Sequence, residues 1–78
     1  MENKNGFKQT MEILECNINR LLKKKNQTMR WLSLNIGTNE RYIARLLNGK
    51  LVPSMQVICK IAAVLRVSVA DLFTKNDG

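Results

Sequence analysis

The stretch from Thr28 to Asn48, TMRWLSLNIGTNERYIARLLN, reads as two short helices joined at Gly37. Leu32 and Ile36 stand one helical turn apart, Gly37 supplies the left-handed backbone that a tight exit needs, and Asn39 caps the second helix. In that helix, Ile43 and Leu46 recur at helical spacing and face inward. Arg41 and Arg45, four apart, share the outward face with Tyr42, Ala44 and Asn48 flanking them. The small Ser33, next to Leu32, lets the two helices cross closely.

Outward from this pair, the pattern stays helical. From Met11 to Lys25, Leu14, Ile18, Leu21 and Leu22 fall on one stripe and the opposite face is polar, which predicts a first helix. Lys23, Lys24 and Lys25 occupy its last turn, where cations complement the negative end of the helix dipole; the same run is equally placed to meet phosphates. Asn26 and Gln27 connect to Thr28, an N-cap for the next helix. On the other side, Asn48-Gly49-Lys50 makes a turn, Pro53 and Ser54 form a stop and a cap, and Ile58, Ile61, Ala62 and Leu65 follow at i, i+3, i+4, i+7. Cys59 and Val57 border that stripe and are expected to pack. Ser68 and Asp71 form a capping box that opens a fifth helix, whose Leu72 and Phe73 close the core.

The chain of 78 residues suits one domain, and a compact all-α bundle is the economical fold at that length. The expected organisation is a flexible tail over 1–10, one helical domain over 11–74 and a short tail over 75–78, with no further module. Thirteen Lys and Arg oppose six acids, a net charge of +7, and the excess is concentrated. Between residues 20 and 60 lie nine bases and a single acid, Glu40, a net of +8, so the remainder is close to neutral. Such concentration favours a polyanion partner. A membrane surface would accept the charge too, but it needs a broad apolar face left free, and here the core takes those faces. The longest apolar stretch, Ile61 to Leu65, is far shorter than the ~20 residues of a membrane span.

Cys16 and Cys59 are distant in sequence and make no CxxC pair, so no metal site or redox motif is indicated and both are expected to stay reduced. A cytoplasmic setting fits. The sequence contains no histidine, the commonest general base and metal ligand. No catalytic residue, cofactor or small-molecule ligand is indicated, and an enzyme is not expected.

Leu32-Ser33 followed by Gly37, Asn39, Ile43 and Gly49, then Pro53-Ser54 and a closing Val67-Ser68-Val69-Ala70-Asp71-Leu72-Phe73, resembles the Cro/repressor-type helix-turn-helix family, also called the xenobiotic-response-element family. The likeness runs from about Leu14 to Phe73 without a gap. Three positions depart from the usual pattern: Met29 stands for a glutamine, Ser33 for an alanine and Leu47 for a glutamate. The resemblance implies a five-helix bundle of the lambda-repressor-like type and a transcriptional regulator, a repressor by default, that binds double-stranded DNA with the helix over 39–47 in the major groove.

On that reading Arg41 is the first candidate to read a base, since a guanidinium donates two hydrogen bonds to guanine O6 and N7, and Arg45 is the second. Glu40 is placed to accept from a cytosine amino group, although the helix dipole alone also favours an acid there. Tyr42 and Asn39 complete the base-reading set. Thr28, Met29 through its backbone, Arg30, Asn48 and Lys50 are the candidates for phosphate contact, which positions the helix without reading sequence. A domain of this size covers few base pairs, so a homodimer on paired half-sites is expected. Trp31 and Leu34 lie off the inward stripe on positions the family leaves polar, with Phe7 folding back, a second subunit or plain exposure as the explanations. The rival reading is a protein-interaction module, an antitoxin or adaptor, using Trp31, Leu34 and Leu51.

Overall fold

Residues 6–75 are described by the structure, a computed structural model. Among these residues five helices follow in chain order: α1 (Gly6–Lys24), α2 (Met29–Ile36), α3 (Glu40–Leu47), α4 (Met55–Leu65) and α5 (Val69–Leu72). The fold is all-α, as the periodicity predicts.

The starts of α2, α3, α4 and α5 are each written in a side chain. The Trp31 N–H donates to Thr28 Oγ1 at 3.0 Å, the Tyr42 N–H to Asn39 Oδ1 at 2.8 Å and the Val57 N–H to Ser54 Oγ at 3.2 Å. These three caps satisfy amides that a helix leaves without an internal partner. The expected capping box is complete at α5, with Asp71 N–H to Ser68 Oγ at 3.0 Å and Ser68 N–H to Asp71 Oδ2 at 3.1 Å.

The core forms where the stripes meet. Leu14, Ile18, Leu21 and Leu22 of α1 are buried with Leu32 and Ile36 of α2, Ile43 and Leu46 of α3, and Ile58, Ile61, Ala62 and Leu65 of α4, with Leu72 closing one end. α2 packs against α3 and α4, α1 against α3 and α5, and α4 against α5. α2 is therefore held on two sides, and α3 is backed by both α1 and α2. Ser33 is buried, and its hydroxyl donates to the Arg30 carbonyl at 2.7 Å, which satisfies the group within its own helix.

Three expectations need correction. The tail expected over 1–10 is helical from Gly6 onward; residues 1–5 lie outside the described residues. The added turn carries no apolar period because it has little to bury against, and Phe7 is exposed. It extends the packed helix beyond it, each further residue adding one hydrogen bond once the nucleus exists. Cys59, expected to pack, is exposed, whereas Val57 is half-buried. At about 100° per residue, Val57 stands about 40° beyond one edge of the α4 stripe and Cys59 about 60° beyond the other. Trp31 is half-buried against the core rather than stranded on the surface, and its expected companion Leu34 remains 68% exposed. Arg66, which no pattern in the sequence singles out, closes α4 in the left-handed conformation at φ 61°.

A left-handed residue with a Cβ costs about 1–2 kcal/mol, part of which glycine returns as unfolded-chain entropy. Arg66→Gly is therefore expected to raise stability by about 0.5–1 kcal/mol, a gain of about 3–6 °C in melting temperature. A melting temperature equal to or below the parent's would refute it.

Candidate nucleic-acid interface

The two-helix unit is fixed at both ends by backbone geometry. Gly37 ends α2 at φ 78° and its N–H donates to the Ser33 carbonyl; the Thr38 N–H converges on the same oxygen at 2.9 Å. A positive φ of this kind costs glycine little and other residues more. The chain thus reverses within two residues and reaches the Asn39 cap. α3 turns Ile43 and Leu46 fully into the core, which fixes its rotation and leaves Glu40, Arg41 and Arg45 exposed together.

The candidate base readers are not equally free. Arg41 and Arg45 are exposed and lie one turn apart on the outer face of α3. Glu40 is exposed in the first turn. Tyr42 is half-buried against the core, so its side chain is less free than those of the arginines. Asn39 is exposed, but its side-chain oxygen is already the acceptor of the α3 cap, which leaves only its amide N–H groups for a ligand.

The phosphate candidates fall into two groups. At the start of α2, Thr28 and Arg30 are exposed and Met29 is half-buried against the core. The Thr28 hydroxyl oxygen accepts from Trp31, but its proton is free to donate, and the first amides of a helix point toward an incoming anion. The second group is the turn after α3. There the Asn48 N–H donates to the Ala44 carbonyl at 3.0 Å, the Gly49 N–H to Leu46 at 3.2 Å and the Lys50 N–H to Arg45 at 2.8 Å. With those backbone donors consumed, Asn48 and Lys50 can meet a phosphate only through their side chains.

The lysine run at the end of α1 is wholly exposed, and the chain leaves it through Asn26 in the left-handed conformation at φ 57° to reach Thr28 two residues later. The explanations for Trp31 and Leu34 narrow. Phe7 lines a groove with Met11, Leu51 and Val52 rather than with them. Leu51 is half-buried, so of Trp31, Leu34 and Leu51 only Leu34 stands free.

Besides Arg66, a second structural residue escaped the sequence reading. Asn17, 2% exposed, sits inside the apolar stripe of α1 and donates through Nδ2 to the carbonyls of Leu72 at 2.8 Å, Thr74 at 2.9 Å and Asp71 at 3.3 Å. Its oxygen accepts from Arg20 Nη2 at 3.4 Å. The only local signal is a polar residue between Leu14 and Ile18 in an otherwise apolar row.

Among the described residues, no helix is long and apolar enough to cross a membrane, and no group of three or more Cys, Asp or Glu is placed to hold a metal ion. No curated protein and no solved structure matches the chain. The sequence pattern of the Cro/C1-type helix-turn-helix DNA-binding domain matches residues 17–78, so the match begins at Asn17 and takes in both helices of the unit, the turn beyond them and α4 with α5. With capped, core-backed helices reversing at Gly37 and an exposed arginine pair on the second, the chain belongs to the Cro/C1-type helix-turn-helix family of DNA-binding transcription regulators.

Proposed function

We propose that the protein is a sequence-specific repressor that places α3 in the major groove of double-stranded DNA and binds as a homodimer. The observation that carries this reading is the exposure of Glu40, Arg41 and Arg45 on one face of a helix whose other face is locked into the core. A rigid backing gives the guanidinium groups a fixed register, which bidentate donation to guanine requires. Arg41, nearer the start of α3, is the principal base reader and Arg45 the second, with Glu40, the Asn39 amide and the half-buried Tyr42 beside them. Thr28, the Met29 backbone, Arg30, Asn48 and Lys50 hold the phosphates on either side. Occupying a promoter excludes polymerase, which makes repression the default outcome. A reduced, cytoplasmic setting suits two exposed cysteines.

An eight-residue α3 spans too few bases to select a site alone, and two copies on half-sites about one helical turn apart multiply the selection. Selection of bound duplexes from a random pool tests the reading. The expected result is an enriched sequence with two related half-sites about 10–10.5 base pairs apart, bound more weakly as salt rises. A pool that shows no enrichment would refute sequence-specific reading, and a single half-site bound without cooperativity would refute the dimer.

A further inference from the structure

The turn after α3 is not isolated. A groove of about 310 Å³ runs between the N-terminal half of α1 and this turn, with Met11, Leu51 and Val52 among its apolar lining and Asn48 and Gly49 on one side. The charged groups lining it are Lys8, Glu12 and Glu15, all from α1. Glu15 is half-buried, and its Oε2 lies 3.5 Å from the point that a Cβ on Gly49 would occupy. Gly49 itself is left-handed at φ 72°, so the turn presents bare backbone to the carboxylate. Burial first, and the charge of Glu12 second, hold the Glu15 carboxyl above its ordinary range. Both causes disfavour a negative charge at this place, and a carboxylate sits there in a chain of net charge +7.

We propose that Glu15 limits the strength of phosphate contact: its carboxylate, held against the turn that carries Asn48 and Lys50, opposes the approach of the DNA backbone there. This inference rests on the DNA-binding reading. A unit charge within about one Debye length of a phosphate acts on every duplex alike, since phosphates carry no sequence. Glu15 therefore subtracts from the uniform part of the affinity and leaves the base-dependent part to α3. Lys50, on the same turn, pulls in the opposite direction, as does Lys8 in the same groove.

Titration of wild type, Glu15→Gln and Glu12→Gln with a preferred and a random-sequence duplex tests the proposal. At low salt, Glu15→Gln is expected to bind both duplexes about three- to tenfold tighter than wild type, with the ratio between the duplexes unchanged. The advantage should shrink at high salt, and also at acid pH, where wild-type Glu15 takes up a proton and loses the charge that the variant lacks. Glu12→Gln, which leaves the carboxylate nearest Gly49 in place, is expected to have the smaller effect. Equal affinity of Glu15→Gln and wild type at low salt, in a variant whose melt shows it folded, would overturn the inference while wild-type binding left the DNA reading standing. So would an equal or larger gain from Glu12→Gln. A wild-type protein that bound neither duplex would instead remove the DNA-binding reading, and this inference with it.

Discussion

Asn17→Leu is expected to destabilise the protein by about 2 kcal/mol, a fall of about 8–16 °C in melting temperature for a domain of this size. α5 has only four residues, so most of its carbonyls have no partner within the helix, and Asn17 Nδ2 serves those of Asp71 and Leu72 together with that of Thr74 beyond it. Leucine keeps the branched shape and removes the donor, leaving the buried Leu72 carbonyl without its bond. Its extra apolar contact offsets part of that loss but repairs none of it. Asn17→Asp should be worse near neutral pH, because a carboxylate would face three carbonyl oxygens in a buried position. Its folded pKa would be raised, so its stability deficit should narrow as pH falls and the protonated acid regains a donor. A melting temperature for Asn17→Leu within about 2 °C of the parent would show that α5 does not depend on this bond.

The contrast between Asn17 and the helix caps explains how much of the molecule could be read from its sequence. A cap is a local code: Thr28, Asn39, Ser54 and Ser68 each accept from an amide three residues later, and all four were legible. So were the stripes, because burial repeats with the helical period. The partners of Asn17 lie 54 to 57 residues away, and no local pattern announces them. Arg66 was missed for the opposite reason, since glycine is the residue that signals a left-handed exit and arginine does not. At the site, the inward face of α3 fixed which residues point out, but not the hydrogen bonds already made. The Asn39 cap is the exception, legible in advance and made as expected, whereas the bonds that consume the Asn48, Gly49 and Lys50 amides come only from the structure. The closeness of Glu15 to Gly49 likewise joins two segments that nothing in the sequence connects.

Arg41→Ala and Lys50→Ala are expected to fail in different ways, and the difference tests how the interface is divided. Arg41 is exposed near the start of α3, the part of the helix that the proposed docking would carry furthest into a groove, while Lys50 follows α3 on a turn whose backbone N–H groups are already bonded within the chain. Removing Arg41 should cost about 1–3 kcal/mol on the preferred duplex and little on random sequence, so the ratio between them collapses. Lys50 has only its ammonium group to offer a phosphate. Its loss should weaken both duplexes alike and lower the slope of log affinity against log salt by about one. Both side chains are exposed, so neither substitution should disturb folding, and melting temperatures close to the parent's are the control. If Arg41→Ala instead lost the same affinity on every sequence, Arg41 would be a phosphate contact, and base reading would pass to Arg45 or to Glu40 and the Asn39 amide.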